Sequence, residues 1–156
     1  MDKIVFSKSK NRVVIDADGC PVVRTAARLA KEYSVKCSIV ADSAHCFSID
    51  TAEMVVVSQG ADAADFYIVN NIQKGDLVIT QDYGLAAMCL AKNALVLNQD
   101  GKAYDNGNID GLLAMRAINK ELRRSGKRTK GPPKRTEEQN KRFEESLRRI
   151  LKNAEV

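Results

Sequence analysis

At 156 residues the chain has the length of one domain and can bury a substantial core. Its apolar share of 44% and charged share of 29% are ordinary for a globular protein, and no run of about 20 apolar residues is present, which excludes a membrane-spanning helix from the sequence. The net charge of +5 is unevenly divided: residues 1–119 carry 12 Lys/Arg and 14 Asp/Glu (−2), whereas residues 120–156 carry 13 and 6 (+7), so a mildly acidic body bears a basic tail suited to anions.

In chain order, Met1 to Lys10 lacks the apolar middle of a secretory signal. Val13-Val-Ile15 reads as a first strand and Val22–Tyr33 as a helix, with Val22, Ala26, Leu29 and Ala30 near a 3.6-residue period and Pro21 suited to its first turn. Strands are expected at Val35–Val40, Met54–Val57, Leu77–Ile79 and Ala94–Leu97, and helices at Asp62–Ile72 and Tyr83–Ala91. Asp42–Thr51 and the turn-rich Asn98–Asn108 read as loops. Ile109–Arg124 is helical in pattern, Ser125–Arg135 is a loop with Gly126, Gly131, Pro132 and Pro133, and a last helix starts at Thr136, where Thr136 and Gln139 fit a capping box. Phe143, Leu147, Ile150 and Leu151 give that helix one apolar face, so it should dock. Strands alternating with helices imply an α/β, doubly wound, mostly parallel five-stranded sheet with helices on both faces, followed by C-terminal helices. The expected organisation is an α/β domain over 1–125, a basic loop over 126–135 and a docked C-terminal helix over 136–156.

The strand ends carry the chemistry. The run Arg12-Val-Val-Ile-Asp16-Ala-Asp18 closes an apolar strand with two acids, Asp42 follows the second strand, Asp62 and Asp65 begin the helix after the third, and Asp82 follows the fourth in Thr80-Gln81-Asp82. Parallel strands point their carboxyl ends to one edge, where ligands of such sheets bind. Taken alone, any one of these acids reads more readily as a helix N-cap than as a ligand, a role suited to Asp18, Asp62 and Asp82, with Asp65 as a capping-box acid. Capping does not explain Asp16, nor why so many acids converge. Two carboxylates about 4 Å apart repel by ~4 kcal/mol at an effective dielectric near 20. A hard divalent cation, Mg²⁺ or Mn²⁺, relieves that repulsion, and such a site suits attack on phosphate esters.

The chain resembles the YaiI/YqxD family of bacterial proteins, which is assigned to the PIN-like nuclease superfamily. The resemblance rests on Asp16-Ala-Asp-Gly-Cys-Pro-Val22, Gly60-Ala-Asp-Ala-Ala-Asp65 and Gly75-Asp-Leu-Val-Ile-Thr-Gln-Asp82 with Leu85-Ala86, and on the tail from Arg123-Arg-Ser-Gly126 through Gly131-Pro132. It spans about residues 12 to 150. It implies a PIN-like sheet with an acidic pocket at the strand ends and nuclease or phosphodiesterase activity with Mg²⁺ or Mn²⁺. It aligns Asp16, either Asp62 or Asp65, and Asp82 with the acids of such nucleases; the expected metal ligands, direct or through water, are Asp16, Asp65 and Asp82, with Asp18 and Asp62 completing the catalytic set.

Ser43, His45 and Thr80 are further pocket candidates; His45, the one histidine, could bind phosphate or shuttle protons. Arg123, Arg124, Lys127, Arg128, Lys130, Lys134 and Arg135 lie between Glu121 and Glu137 with no acid among them. They are either a solvated connector or a clamp on a nucleic-acid backbone, RNA above all, and the absence of an aromatic there predicts backbone-directed, weakly sequence-specific contact. Two rivals remain. An apolar run ending in Asp-x-Asp-Gly also resembles haloacid-dehalogenase-type phosphatases, with Asp16 as nucleophile and Asp18 as acid. Alternatively the domain is a non-catalytic RNA- or protein-binding module whose acids are caps. Cys20, Cys37, Cys46 and Cys89 match no CxxC spacing, so reduced thiols and a cytoplasmic location are expected.

Overall fold

The computed structural model describes residues 4–42, 49, 51–60, 62–126 and 134–156. Along the chain lie β1 (Arg12–Asp16), α1 (Val23–Glu32), β2 (Lys36–Ala41), β3 (Glu53–Val56), α2 (Ala63–Asn71), β4 (Leu77–Ile79), α3 (Tyr83–Ala91), β5 (Leu95–Leu97), β6 (Ala103–Tyr104), α4 (Ile109–Arg124) and α5 (Glu137–Lys152). The sheet runs β3-β2-β1-β4-β5-β6, parallel throughout except for β6, which pairs antiparallel with β5.

The sheet thus has six strands where the sequence pattern indicates five. β6 is two residues long, inside the stretch read as a loop, and so short a strand has no periodicity to detect. It is held by partners distant in sequence: Val96 and Leu97 stand opposite Tyr104 and Ala103, and the Tyr104 ring meets Tyr83 edge-on at 5.9 Å between centroids.

Both faces of the sheet are covered, which is why its central strands are continuous apolar runs. Val13, Ile15, Cys37, Ile39, Leu77, Ile79 and Leu97 point into one core with α1 and α5; their neighbours Val14, Val40, Val78 and Val96 point into the other with α2, α3 and the start of α4. Phe143, Leu147 and Leu151 of α5 are buried in the first core, and the capping box of Thr136 and Gln139 starts that helix as its sequence indicates. Arg28 and Arg148 add ion pairs across α1 and α5, at 3.2 Å to Glu144 and 2.9 Å to Glu32. Both are exposed, so packing dominates.

Arg135, expected in the basic clamp, is a strut instead. Its guanidinium donates to Asp100 Oδ1, to the Gln99 carbonyl and to Asn140 Oδ1, each at 2.6 Å, tying the β5–β6 turn to the start of α5. Gly101 is needed in that turn: at φ +86° a Cβ would lie 2.5 Å from the Arg142 carbonyl oxygen.

The chain crosses from one half of the sheet to the other in passing from β3 to β4, so the strand order reverses between the neighbours β1 and β4. The crevice above their carboxyl ends is the switch point at which ligands of doubly wound sheets bind.

Candidate functional site

Asp16 is the last residue of β1 and sits half-buried in that crevice. Across it, just beyond β4, buried Thr80 donates its hydroxyl to Asp16 Oδ2 at 2.7 Å and accepts from the Asp82 amide at 3.0 Å. Thr80, a candidate from sequence, therefore orients the carboxylate rather than reaching into the pocket.

A pocket of about 530 Å³ opens above this pair, lined by Asp16, Asp18, Asp42, Asp62, Asp65 and Asp82, with Gly60, Gln81, Tyr83 and Arg116 completing its wall. The five aspartates expected from the strand ends all come together, although they derive from three separate junctions. Asp42 joins them; it follows β2 on the same edge, so the sequence carried its signal. Arg116 carried none. It lies mid-way along α4, with Nη1 3.6 Å from Asp82 Oδ1, and only tertiary packing brings it here.

The capping alternative can be checked residue by residue. Asp82 caps α3, accepting from the Leu85 amide at 3.1 Å. Asp18 does not cap α1: that helix begins later, after Val22, and the Asp18 carboxylate accepts the Asp42 amide at 3.2 Å instead. Asp62 occupies the N-cap position of α2 in a left-handed conformation, φ +67°, and its side chain makes no capping bond. Asp16 lies outside any helix, and Asp65 lies inside the first turn of α2. One of the five side chains is thus used as a cap, and the rest project charge into a shared space.

The consequence is electrostatic. Burial raises the Asp16 carboxyl from 3.8 to about 6; the Thr80 hydrogen bond opposes the rise, and the charges of Asp65, Asp82 and Asp18 add to it. Asp65 is also raised, by burial and then by Asp82 and Asp62, with Arg116 pulling the other way. Asp18 is raised mainly by burial. The opposite edge of the sheet offers a contrast. Asp76 is only 2% exposed, yet it receives hydrogen bonds from Asn11 Nδ2 and the amides of Arg12 and Gln73, with the Arg12 guanidinium 4.0 Å away. That acid is supplied with donors; the pocket acids are short of them.

A pH signature follows. An acid whose folded pKa lies above its unfolded value takes up its proton earlier in the folded state, so stability falls as pH rises through that interval. Between pH 3.8 and about 6, Asp16 should therefore cost the metal-free chain roughly 2–3 kcal/mol that Asp16→Asn does not lose. Denaturant melts of both chains from pH 4 to 7.5 measure this: the two should differ at pH 7.5 and converge near pH 4.

The donor set is all carboxylate oxygen, which suits a hard cation. Among the described residues no three acidic, histidine or cysteine side chains stand close enough together to enclose an ion by themselves. Such a site fits Mg²⁺ or Mn²⁺ gripped by one or two carboxylates, with water between the ion and the others, as these ions are commonly held. Among the described residues thiol chemistry has no support: Cys37 and Cys89 are buried and pushed up to about 12, chiefly by burial, and Cys20 is raised for the same reason.

Of the other candidates, Arg123 and Arg124 are exposed at the end of α4, and Lys134 is exposed before α5. Ser43 and His45, like Lys127, Arg128 and Lys130 and the cysteine Cys46, lie outside the described residues. No helix among the described residues is long and apolar enough to cross a membrane.

Comparison with known proteins places these features in a lineage. The family profile described as "Uncharacterized BCR, YaiI/YqxD family" matches residues 14–153, taking in every aspartate of the pocket. A UPF0178 protein of Exiguobacterium sibiricum is 48% identical over 140 residues, covering 90% of this chain and 96% of its own. UPF0178 proteins of Clostridium acetobutylicum and Halalkalibacterium halodurans are 41% and 39% identical, covering 93% and 90% of this chain and 99% and 90% of theirs. No solved structure matches significantly. With the profile spanning the sheet, the pocket and the last helix, the chain belongs to the YaiI/YqxD family.

Proposed function

We propose that this protein is a divalent-metal-dependent nuclease or phosphodiesterase of PIN-like type acting on RNA or another nucleic acid. The observation that carries the reading is the convergence of six carboxylates on one crevice at the switch point of the sheet, against a single guanidinium among the described residues. Asp16, Asp65 and Asp82 would hold Mg²⁺ or Mn²⁺, one or two of them directly and the rest through water, with Asp18 and Asp62 orienting its waters. When bound, the ion would neutralise phosphate oxygens and acidify a water for attack on phosphorus.

The residues of the chain divide the remaining work. Thr80 fixes the Asp16 carboxylate through its hydroxyl and fixes the Asp82 backbone through the same oxygen. Arg116 offers the pocket a positive charge for a phosphate. Arg123, Arg124 and Lys134, with Lys127, Arg128 and Lys130, supply a basic segment for the nucleic-acid backbone, so binding should weaken steeply with salt.

The phosphatase alternative has less behind it. β1 ends at Asp16 and α1 begins at Val23, and the short Ala17–Val22 connection leaves little room for the flap that reading requires. The non-catalytic alternative rests on the acids being caps, a role that one of the five side chains performs.

Calorimetric titration with Mn²⁺ near pH 7.5, paired with a cleavage assay on single-stranded RNA, tests the proposal. Binding should raise the melting temperature, with about 2.7 kcal/mol of stabilisation at one hundred times the dissociation constant, and cleavage should stop on adding EDTA. A flat titration at neutral pH would sink the reading.

A further inference from the structure

Beside the acidic pocket lies a second groove of about 310 Å³ that shares Asp62, Asp65, Asp82 and Arg116 with it and is completed by Phe66, Gly84, Leu85 and Met88. Phe66 is 61% exposed and Met88 39% exposed. A single exposed apolar side chain needs no explanation. Here two come from different helices, α2 and α3, and meet in one groove continuous with a charged pocket. Burying a phenylalanine ring away from water is favourable, so a ring left in water at this place is available to a ligand.

The order of groups across the two spaces limits what that ligand is. Asp62, Asp65 and Asp82 form the shared wall, Arg116 stands beside Asp82, and the aromatic ring and thioether lie beyond. Gly84 keeps the passage open: a Cβ there would stand 3.2 Å from Asp82 Oδ1 and 3.5 Å from Arg116 Nη1. A ligand spanning both spaces needs an anionic part for the guanidinium and for a metal on the carboxylates, and a flat apolar part for the ring. A nucleotide unit has both, since every base offers a π-face to an aromatic side chain.

We propose that Phe66 and Met88 form a nucleobase subsite, in which an unpaired base next to the target phosphodiester stacks on the Phe66 ring while Arg116 takes the phosphate. The inference rests on the nuclease reading and narrows it to substrates with an unstacked base: single strands, loops and ends rather than continuous duplex. It also relocates base contact. The basic segment before α5 has no aromatic, whereas the groove adjoining the pocket presents the exposed Phe66 ring.

The test is fluorescence-anisotropy binding of labelled decauridylate, and of a strand of the same length with its central bases removed, to the full chain in Ca²⁺. Phe66→Ala should weaken binding to the base-bearing strand roughly tenfold and leave the abasic strand unchanged; Phe66→Tyr should restore the affinity. Phe66 is exposed, so neither change enters the core, and circular dichroism checks the fold. Equal affinity of wild type and Phe66→Ala, an equal loss on both strands, or no binding of either strand by the wild type overturns the proposal. So does a sedimentation experiment in which Phe66→Ala splits a dimer, since the Phe66–Met88 groove would then face a second copy of the chain. Mn²⁺ titration of the wild type is read separately: its failure removes the metal-dependent reading and leaves the strand comparison to decide the subsite.

Discussion

Asp16→Asn should reduce Mn²⁺-dependent cleavage by more than about a hundredfold while making the metal-free protein more stable. The first effect follows from its position: Asp16 is the pocket acid most withdrawn from water, is oriented by Thr80, and feels Asp65, Asp82 and Asp18. Losing its charge removes a metal ligand, and even outer partners of metal sites cost 10- to 100-fold when changed. The second effect has the opposite sign for the same reason. Repulsion and burial that an ion would relieve are carried by the folded metal-free chain at pH 7, and the amide carries neither. An amide can still accept the Thr80 hydroxyl, so the local geometry should hold. The melting temperature without metal should rise by several degrees, given about 2–4 °C per kcal/mol at this chain length. Thermal melts with and without Mn²⁺, alongside the cleavage assay, measure both. Loss of activity with gained stability marks a residue retained for function at the expense of the fold. Cleavage unchanged in this variant would rule out the proposed mechanism.

Phe143→Ala should cost about 3–5 kcal/mol, the largest stability effect expected from one substitution in α5. Phe143 is fully buried and lies in the same core as Val13, Ile15 and Leu29, so its removal leaves a cavity beneath the central strands. Chemical denaturation followed by circular dichroism should show one cooperative transition at a lower midpoint. If residues 136–156 behaved as an independent appendage, the helix would melt alone and the sheet transition would stay in place. The first outcome is expected because α5 completes a face of the sheet, and because the segment after α5 is bonded to the segment before β1. The Lys8 amide donates to the Glu155 carbonyl at 2.7 Å, and the Glu155 amide donates to the Phe6 carbonyl at 2.9 Å.

The basic stretch before α5 divides along similar lines. Arg135 reads in the sequence as one of seven equivalent cations, yet it is spent on Asp100, Gln99 and Asn140. Arg123, Arg124 and Lys134 remain exposed. Charge alone cannot separate the two cases, since a guanidinium that bridges two segments looks, in sequence, like one that waits for a phosphate.

Much of the architecture was written locally. The β-branched runs, the helical periods and the Thr136–Gln139 capping box each depend on residues a few positions apart, and they appear as elements within a residue or two of where the pattern puts them. Alternation of strand and helix implied a parallel sheet, and a parallel sheet gathers its strand ends at one edge; that was enough to bring Asp16, Asp18, Asp62, Asp65 and Asp82 together. What the tertiary structure alone decided are the meetings of residues with no local relation. β6 exists because β5 and Tyr83 hold it, Arg116 faces Asp82 because α4 packs against α3, and Phe66 and Met88 share a groove because two helices lie side by side. Such contacts arise from packing between faces, which a period of two or 3.6 residues orients toward a core without naming the partner found there.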